Sequence, residues 1–390
     1  MIHVSQTTFR LKALRSEFPY LNGKAYFNYG GQGSMPQRAL SALHEAHDRF
    51  QALGPFSSKA NAWLMQEASL TRTAIAAELG VGADTMTLTE DVTVGCNIAL
   101  WGIDWQAGDH ILITDCEHQG IIAAVRELQR RFKLEVSVCP LLNTLNAGDP
   151  VSIVRQFLRP NTRLVVLSHI LWNTGQVLPL AEIVSICGSV PVLVDAAQSI
   201  GVLPLNLNEI GVDFYAFTGH KWWCGAAGVG GLYVRPDARA RLSPTFIGWR
   251  SVIVDANGHP IEWQPDGRRY EIATSAVPLY GALREAIEVH NQFASAQERY
   301  QMILDRSAYL WHRLTNLADA HCLKNSPPEA GLVSFQIASG KHAQLVQFLE
   351  EKNFFLRVIL NPNCVRACVH YFTTESEIDA LIEAITEFLS

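Results

Sequence analysis

The chain has 390 residues and a formal net charge of −6; 48% of its residues are hydrophobic and 17% are charged. This composition is typical of a globular protein with a large core, and the acidic balance argues against a nucleic-acid partner. No apolar run approaches the length of about 18 residues that a membrane span requires, and residues 1–20 lack the apolar centre of a signal peptide. We therefore expect a cytoplasmic protein with no membrane or nucleic-acid partner.

Strand and helix signals alternate in the middle of the chain. Five short runs rich in Val, Ile and Leu predict buried strands at residues 110–115, 163–169, 190–197, 212–218 and 230–236. Between them, helical patterns cover 117–132 and 148–158, the second with Asp149 as N-cap and Pro150 in the first turn. This alternation predicts an α/β fold with a mostly parallel sheet and helices on both faces.

The pattern changes after about residue 280. Two long helical stretches at 279–320 lead into strand signals at 331–338, 354–360 and 365–372, and a capping box of Thr374 and Glu377 begins a closing helix. Helices separated from a small sheet indicate an α+β domain. We expect an N-terminal arm (1–19) that packs on the small domain, a large domain (20–265) and a small C-terminal domain (266–390).

Eight cysteines are scattered along the chain without a C-x-x-C pair, and Cys364 and Cys368 are the only close pair. This pattern in a long chain indicates reduced thiols that serve mainly as small core residues. We expect no metal site.

Polar residues follow several of the predicted strands. Asp195 ends one apolar run, His118 follows another, and Thr218, His220 and Lys221 follow a third. Each alone is as compatible with a loop or a helix cap as with a site. Because ligands bind outside the carboxyl ends of parallel strands, however, these residues together predict one crevice.

Lys221 lies beside two tryptophans, in "TGHKWWCG". A lysine here can be solvated, bind a phosphate or form a Schiff base, and the neighbouring Trp222 and Trp223 disfavour the first alternative. Desolvation favours the neutral amine that reacts with a carbonyl group. A pyridoxal phosphate site also needs a carboxylate, phosphate donors and a flat group for the ring, for which Asp195, Thr93 with Thr218, and His118 are available.

These residues stand in a wider pattern. "VDAAQS" precedes "TGHKWWCGAAGVGG", with 26 positions from Asp195 to Lys221, and this pair resembles the class V aminotransferase family, which includes the cysteine desulfurases. The segments "KAYFNYGGQGSMP", "TEDVTVGCNIA", "CEHQG", "YEIATSAVP" and "VRACVHYFTTESEID" are similar to further family motifs in the same order. The resemblance implies fold type I of the pyridoxal-phosphate enzymes, with a seven-stranded sheet in the large domain, and a homodimer with a shared active site.

The resemblance also implies roles for individual residues. Lys221 would be the Schiff-base lysine, Asp195 the partner of the pyridine nitrogen, Gln198 a contact to the phenolic oxygen and His118 the group stacked on the ring. The phosphate would be held by Thr93, Thr218 and His220, with Thr274 reaching across the dimer. Arg366 would bind the substrate carboxylate, with Arg357 and Asn173 as helpers.

The C-terminal region departs from the desulfurase pattern. Desulfurases carry a nucleophilic cysteine on a mobile loop before the carboxylate-binding arginine, but only eight residues separate Arg357 from Arg366 here, and Cys364 lies where a strand should begin. The chain therefore resembles the cysteine/cystine C–S lyase branch. That branch eliminates a persulfide or sulfide from L-cystine or L-cysteine, leaves pyruvate and ammonia, and donates sulfur to an acceptor protein in iron–sulfur cluster assembly.

Three alternatives stay open from the sequence. The first is another reaction on the same scaffold: a desulfurase that uses Cys364 and releases alanine, or an epimerase, a kynureninase-like enzyme or an aminotransferase. The second is a pyridoxal-phosphate-binding or regulatory protein without catalysis. The third concerns Trp222 and Trp223, which either line the pocket for the substrate side chain or pack between the domains.

Overall fold

The computed structural model describes residues 10–390, so the first nine residues of the predicted arm lie outside it. A helical segment at residues 10–16 comes first. The helices that follow span Gln37–Ala52, Ser58–Leu79, Val92–Trp101, Gln119–Phe132, Pro150–Phe157, Leu180–Cys187, Leu207–Ile210, Pro278–Phe293, Ala296–Thr315, His342–Glu351 and Glu375–Leu389.

Seven strands form the central sheet, in the order β2-β8-β7-β6-β5-β3-β4. They are β2 (Met86–Thr89), β3 (His110–Thr114), β4 (Glu135–Cys139), β5 (Thr162–Ser168), β6 (Val192–Asp195), β7 (Phe214–Thr218) and β8 (Gly230–Val234). Strands β3 to β7 pair in parallel, and β8 runs antiparallel to both of its neighbours, β7 and β2. The predicted mostly parallel sheet is confirmed.

Successive residues of the central strands enter two different cores. Val165 and Leu167 pack in a cluster on one face of the sheet, whereas Leu164 and Val166 pack in a cluster on the other face. This explains why the central strands are apolar at almost every position: both faces are covered by helices, so no position of the strand faces water.

Two strands of this sheet are absent from the prediction. Strand β4 is an edge strand whose side chains alternate between exposed and buried, so it lacks the continuous apolar run of its neighbours. Strand β2 has only four residues, two of them threonine. Both join the sheet through pairing with a stronger neighbour, which a local pattern does not reveal.

A second, antiparallel sheet has the order β11-β12-β15-β14. Its strands are β11 (Ala320–Cys322), β12 (Leu332–Ile337), β14 (Arg357–Leu360) and β15 (Asn363–Cys368). Four short strands form two further pairs: β1 (Ala25–Tyr26) pairs with β13 (Phe354–Phe355), and β9 (Val252–Val254) forms a hairpin with β10 (Pro260–Trp263). The capping box of Thr374 and Glu377 is formed as predicted.

Contacts near the N-terminus join it to the C-terminal part of the chain. Arg15 donates to the carbonyl oxygen of Phe372 at 2.8 Å and forms an ion pair with Glu377 at 2.7 Å. The division into an arm and two domains, with boundaries at 19/20 and 265/266, stays a proposal. Within residues 10–390, none of the helices combines the length and the apolar character needed to cross a membrane.

Candidate active site

A cavity of about 230 Å³ opens at the carboxyl ends of the parallel strands. Nine of the eleven residues predicted for the site line it: Thr93, His118, Asp195, Gln198, Thr218, His220, Lys221, Arg357 and Arg366. The other two, Thr274 and Asn173, do not. The strand ends that the sequence placed in one crevice therefore do meet.

Lys221 lies in the loop that follows β7, and the N-terminal segment 28–33 wraps around this loop. The N–H group of Gly33 donates to the carbonyl oxygen of His220 at 2.7 Å. A Cβ atom at position 33 would lie 2.3 Å from the Lys221 carbonyl oxygen, so only glycine permits this approach. Burial and the charges of Arg366 and Arg357 lower the pKa of Lys221 to about 8, against the opposing effect of Asp195.

Asp195 ends strand β6 and is buried. Its Oδ1 atom accepts a hydrogen bond from the backbone N–H of Ala197 at 3.0 Å. A carboxylate in this place, on the floor of the cavity, can receive a hydrogen bond from a protonated ring nitrogen, and the bond is strong because the acceptor is charged.

His118 is the N-cap of the helix Gln119–Phe132. Its Nδ1 atom accepts from the N–H of Gly120 at 3.2 Å, which leaves the proton of the neutral ring on Nε2. Burial lowers the pKa of His118, with the cations Lys221, Arg357 and Arg366 acting in the same direction and Asp195 acting against them. The imidazole is therefore an uncharged flat group on the wall of the cavity.

One end of the cavity is built to accept an anion. The helix Val92–Trp101 begins here, with Thr93 in its first turn; Asp91 caps the N–H group of Val94, and the remaining N–H groups and the helix dipole can still attract an anion. On the other side, the Thr218 hydroxyl and His220 Nδ1 are hydrogen-bonded at 2.7 Å. Hydroxyl, imidazole and helix terminus together fit a phosphate group.

Two arginines from adjacent strands also line the cavity, Arg357 of β14 and its cross-strand partner Arg366 of β15. Arg366 is 1% exposed, and its Nη1 donates to the carbonyl oxygen of Trp172 at 2.7 Å, but its Nε and Nη2 atoms have no partner. Within residues 10–390, no carboxylate lies within ion-pair distance of either guanidinium group. A buried cation with two free donors is a receptor for a carboxylate.

Trp222 orients Gln198 from behind the cavity. Its indole N–H donates to Gln198 Oε1 at 2.8 Å. Because an indole can only donate, this bond fixes Oε1 toward Trp222 and turns the NH2 group of Gln198 away from it. That amide donates to the carbonyl oxygen of Gly30 at 2.9 Å and lies at the cavity wall. Trp222 and Trp223 are both buried and neither lines the cavity, which disagrees with the pocket-lining alternative; Trp223 packs in the core of the central sheet, and packing between the domains stays a prediction.

Two predicted residues lie elsewhere. Thr274 is exposed and lines a neighbouring cavity of about 810 Å³, which shares Thr93 with the first one. Asn173 is buried, and its Nδ2 donates to the carbonyl oxygen of Asn361 at 3.1 Å. This bond ties Asn173 to the tip of the β14–β15 hairpin, while its Oδ1 atom is buried without a partner, so its role in substrate binding stays a prediction.

All eight cysteines are unpaired and buried, and none of them lines the cavity. Cys364 has no exposed surface, and burial raises the pKa of its thiol to about 12. It lies in β15 opposite Ile359, within a paired hairpin. This arrangement leaves Cys364 as a neutral packed thiol, away from the reacting groups.

The sequence pattern did not reveal two neighbours of His118. Trp172 lines the cavity and meets the His118 ring edge to face, with 5.5 Å between the ring centroids. Glu117 lies beneath, where it accepts hydrogen bonds from the hydroxyl groups of Thr114 at 2.6 Å and Ser168 at 2.9 Å, and burial raises its pKa to about 8. The only local signal for Trp172 was its place in the loop after a predicted strand.

Among the many known proteins similar to this chain, two solved structures and one relative cover nearly its whole length. Two solved structures of C-DES are each 48% identical to this chain: a variant with glycine covalently linked to its PLP cofactor (TM-score 0.94, 96% of this chain and 99% of that chain) and the cystine C–S lyase with its reaction product cysteine persulfide (TM-score 0.93, 95% and 99%). A probable cysteine desulfurase of Methanothermobacter thermautotrophicus is 25% identical over 97% of this chain and 98% of its own length.

These matches confirm the predicted fold type, a large mostly parallel sheet with a smaller C-terminal unit, over nearly the whole chain. A model of the aminotransferase class-V family matches residues 25–381. The chain belongs to the class-V aminotransferase family.

Proposed function

We propose that this protein is a pyridoxal-phosphate-dependent carbon–sulfur lyase that acts on L-cystine, L-cysteine or both. The observation that carries the proposal is the composition of the cavity wall: Lys221, Asp195 and Arg366 are present, and no cysteine is. The first three residues suit an amino-acid substrate, and the missing thiol suits elimination. The solved relative with 48% identity is itself a cystine C–S lyase.

The residues present fit pyridoxal 5′-phosphate. Lys221 would hold its aldehyde carbon, Asp195 its ring nitrogen, His118 its ring face and Gln198 its phenolic oxygen. Its phosphate would lie at the helix N-terminus against Thr93, Thr218 and His220. When bound, the cofactor supplies an electron sink for the pair of electrons that the substrate Cα–H bond leaves behind.

The substrate end of the cavity follows from the two arginines. The free Nε and Nη2 donors of Arg366 can bind both oxygens of an α-carboxylate, and Arg357 adds positive charge beside it. The amine of Lys221 has a pKa of about 8, so an appreciable fraction is neutral near pH 7.5 and can accept the α-proton. With the carboxylate and the base both fixed, the Cα–H bond is held for proton removal.

The leaving group decides between the two sulfur reactions. A desulfurase needs a thiolate that attacks the substrate sulfur, but Cys364 is neutral and inside a strand. Without such a nucleophile, loss of the group at Cβ completes the reaction. L-Cystine and water then give pyruvate, ammonia and cysteine persulfide, which is a better leaving group than the sulfide from L-cysteine because its conjugate acid is stronger.

We propose a homodimer that completes the site. Apolar side chains at the loop and hairpin 246–263 are strongly exposed, with Phe246 and Trp249 at 63% and Ile261 at 64%. Exposed apolar patches of this kind mark interaction surfaces. Thr274 also lines the neighbouring cavity and is itself exposed, which suits a contact to the phosphate bound by a second copy. Trp249→Glu is expected to shift the mass measured by light scattering from dimer to monomer.

We also propose that the persulfide is passed to an acceptor protein, with iron–sulfur cluster assembly as the process it serves. The support is chemical, since a persulfide carries a sulfur atom that a thiolate can accept. The eight unpaired thiols support a reducing, cytoplasmic location.

The proposal is tested with purified protein loaded with pyridoxal phosphate. L-Cystine and L-cysteine are added separately, and pyruvate, ammonia and alanine are quantified over time. Equal amounts of pyruvate and ammonia support elimination, and their absence from Lys221→Ala protein shows that the site described above is responsible. A protein that gains no visible absorption band with the cofactor, and no spectral change with either amino acid, would instead be a non-catalytic member of the family.

A further inference from the structure

Two buried histidines contact the backbone directly after Lys221. We propose that His290 and His370 are positioning residues, which hold the Lys221 turn through hydrogen bonds to the two carbonyl groups that follow the lysine. The inference rests on the proposed role of Lys221 as the cofactor lysine. Neither histidine lines the cavity, and the sequence analysis assigned a role to neither, although His370 lies within the motif that carries Arg366.

The contacts are direct and come from two separate elements. His290, in the helix Pro278–Phe293, places its Nε2 2.9 Å from the carbonyl oxygen of Trp223. His370, just beyond the end of β15, places its Nε2 2.9 Å from the carbonyl oxygen of Trp222. The two imidazole rings are stacked, with 5.5 Å between their centroids.

The carbonyl acceptors determine the state of both rings. A carbonyl oxygen can only accept, so each histidine carries its proton on Nε2 and donates it. The Nδ1 of His290 is then free to accept from the Tyr371 hydroxyl, which lies at 2.6 Å. Burial lowers the pKa of His290 to about 3 and that of His370 well below its usual value, so both remain neutral donors at physiological pH.

The turn needs such support because its backbone is strained. Cys224 has a φ of 54°, in the left-handed region that side chains other than glycine rarely adopt. Residues of this kind persist where the surrounding structure holds them in place. The two histidines therefore bind the carbonyl groups of Trp222 and Trp223, the two residues directly before the strained Cys224.

The same side chains do not form a metal centre. Cys224, His290 and His370 are the only group of three metal-type ligands close together within residues 10–390. Both ring nitrogens of His290 are already hydrogen-bonded, however, and burial raises the pKa of the Cys224 thiol far above neutrality. The network of hydrogen bonds accounts for the cluster.

The position of His370 gives the network a role in substrate alignment. His370 lies four positions after Arg366 on one continuous segment. The same short segment therefore carries both the guanidinium group proposed to bind the substrate carboxylate and the imidazole that holds the Lys221 turn. Loosening the turn should let Lys221 move relative to the bound substrate and gain hydration, which raises its pKa toward the ordinary lysine value.

The test compares His290→Phe and His370→Phe, which keep a ring but lose the donor, with His290→Gln and His370→Gln, which keep a donor. The matched control is His110→Phe, because His110 is also fully buried but contacts Thr162, far from the turn. In the full chain stripped of cofactor, labelling of Lys221 by an amine reagent is followed against pH by mass spectrometry. In the loaded protein, kcat and KM for cystine are measured.

We expect both Phe variants to move the Lys221 labelling profile to higher pH, and His290→Phe to lower kcat by roughly 10- to 100-fold with KM unchanged. The Gln variants should restore both readouts, and the control should change neither. An unchanged labelling profile in the Phe variants would overturn the proposal. Because labelling needs no cofactor, that result is distinct from failure of the proposed lyase activity.

A second measurement does not depend on the variants folding. In wild-type protein with ¹⁵N-labelled histidine, NMR chemical shifts report the tautomer of each ring. Neutral rings with the proton on Nε2, from about pH 6 to pH 9, support the two hydrogen bonds. A charged ring or an Nδ1 proton at His290 or His370 would overturn them.

Discussion

Replacement of Arg366 by methionine separates binding of the substrate from stability of the fold. The guanidinium is 1% exposed and uses one donor for Trp172, which leaves Nε and Nη2 for a substrate carboxylate. A hydrogen bond to a charged group contributes about 1.5–3 kcal/mol, so the loss of two costs about 3–6 kcal/mol. At about 1.4 kcal/mol per factor of ten, kcat/KM should fall roughly 10²- to 10⁴-fold.

The effect on folding should have the opposite sign. Without substrate, Arg366 is a buried cation beside Arg357 and Lys221 with no carboxylate partner within residues 10–390. Removing an uncompensated buried charge relieves its desolvation and the repulsion from its neighbours. The urea midpoint of Arg366→Met should therefore be no lower than that of the wild type, despite the lost bond to Trp172.

The assay is the initial rate of pyruvate formation over a range of cystine concentrations, together with urea unfolding followed by circular dichroism. Arg366→Lys, which keeps the charge but loses the paired donors, should lie between wild type and Arg366→Met. Arg15→Met serves as the matched control, since Arg15 is paired with Glu377: its unfolding midpoint should fall while kcat/KM stays the same. A near-normal kcat/KM in Arg366→Met, or a clearly lower midpoint, would refute this reasoning.

Three further predictions follow from the same geometry. The neutral fraction of the Lys221 amine grows as the pH rises through about 8, so kcat should rise with pH and level off above that value; a kcat that falls over this range would contradict the assignment of Lys221 as the base. Cys364→Ser should leave pyruvate formation nearly intact, and a loss of 100-fold or so would show that the thiol takes part. Trp222→Phe removes the donor that orients Gln198, so the absorption band of the bound cofactor should shift while the fold is retained. An unchanged spectrum would contradict the proposed contact between Gln198 and the phenolic oxygen of the cofactor.

The sequence predicted those parts of the molecule that depend on local pattern. The central parallel strands are apolar at nearly every position, so their pattern predicts them directly. Asp195, His118 and Lys221 follow the carboxyl ends of such strands, and these ends lie at the same edge of a parallel sheet. Strand β4 was not found because its pattern is that of a half-exposed edge, and residues 135–139 become a strand only through pairing with β3.

The residues that support the site could not be predicted in the same way. His290 and His370 lie 69 and 149 positions after Lys221 (290 minus 221, and 370 minus 221), and only the folded chain brings them to its turn. The hydrogen bond from Asn173 to the hairpin tip at Asn361 joins two segments 188 positions apart, which no local pattern reveals. The residue types indicate which groups can react, but tertiary contacts determine which of their hydrogen-bonding atoms remain free to bind a ligand.

The central claim is that sulfur leaves by elimination, and the three-carbon product tests it most directly. L-Cystine labelled with ¹³C at Cβ is incubated with the loaded protein, and the products are followed by NMR in the same tube. The account predicts labelled pyruvate, in equal amounts from wild-type and Cys364→Ser protein. Labelled alanine from the wild type, lost in the Cys364→Ser variant, would contradict it.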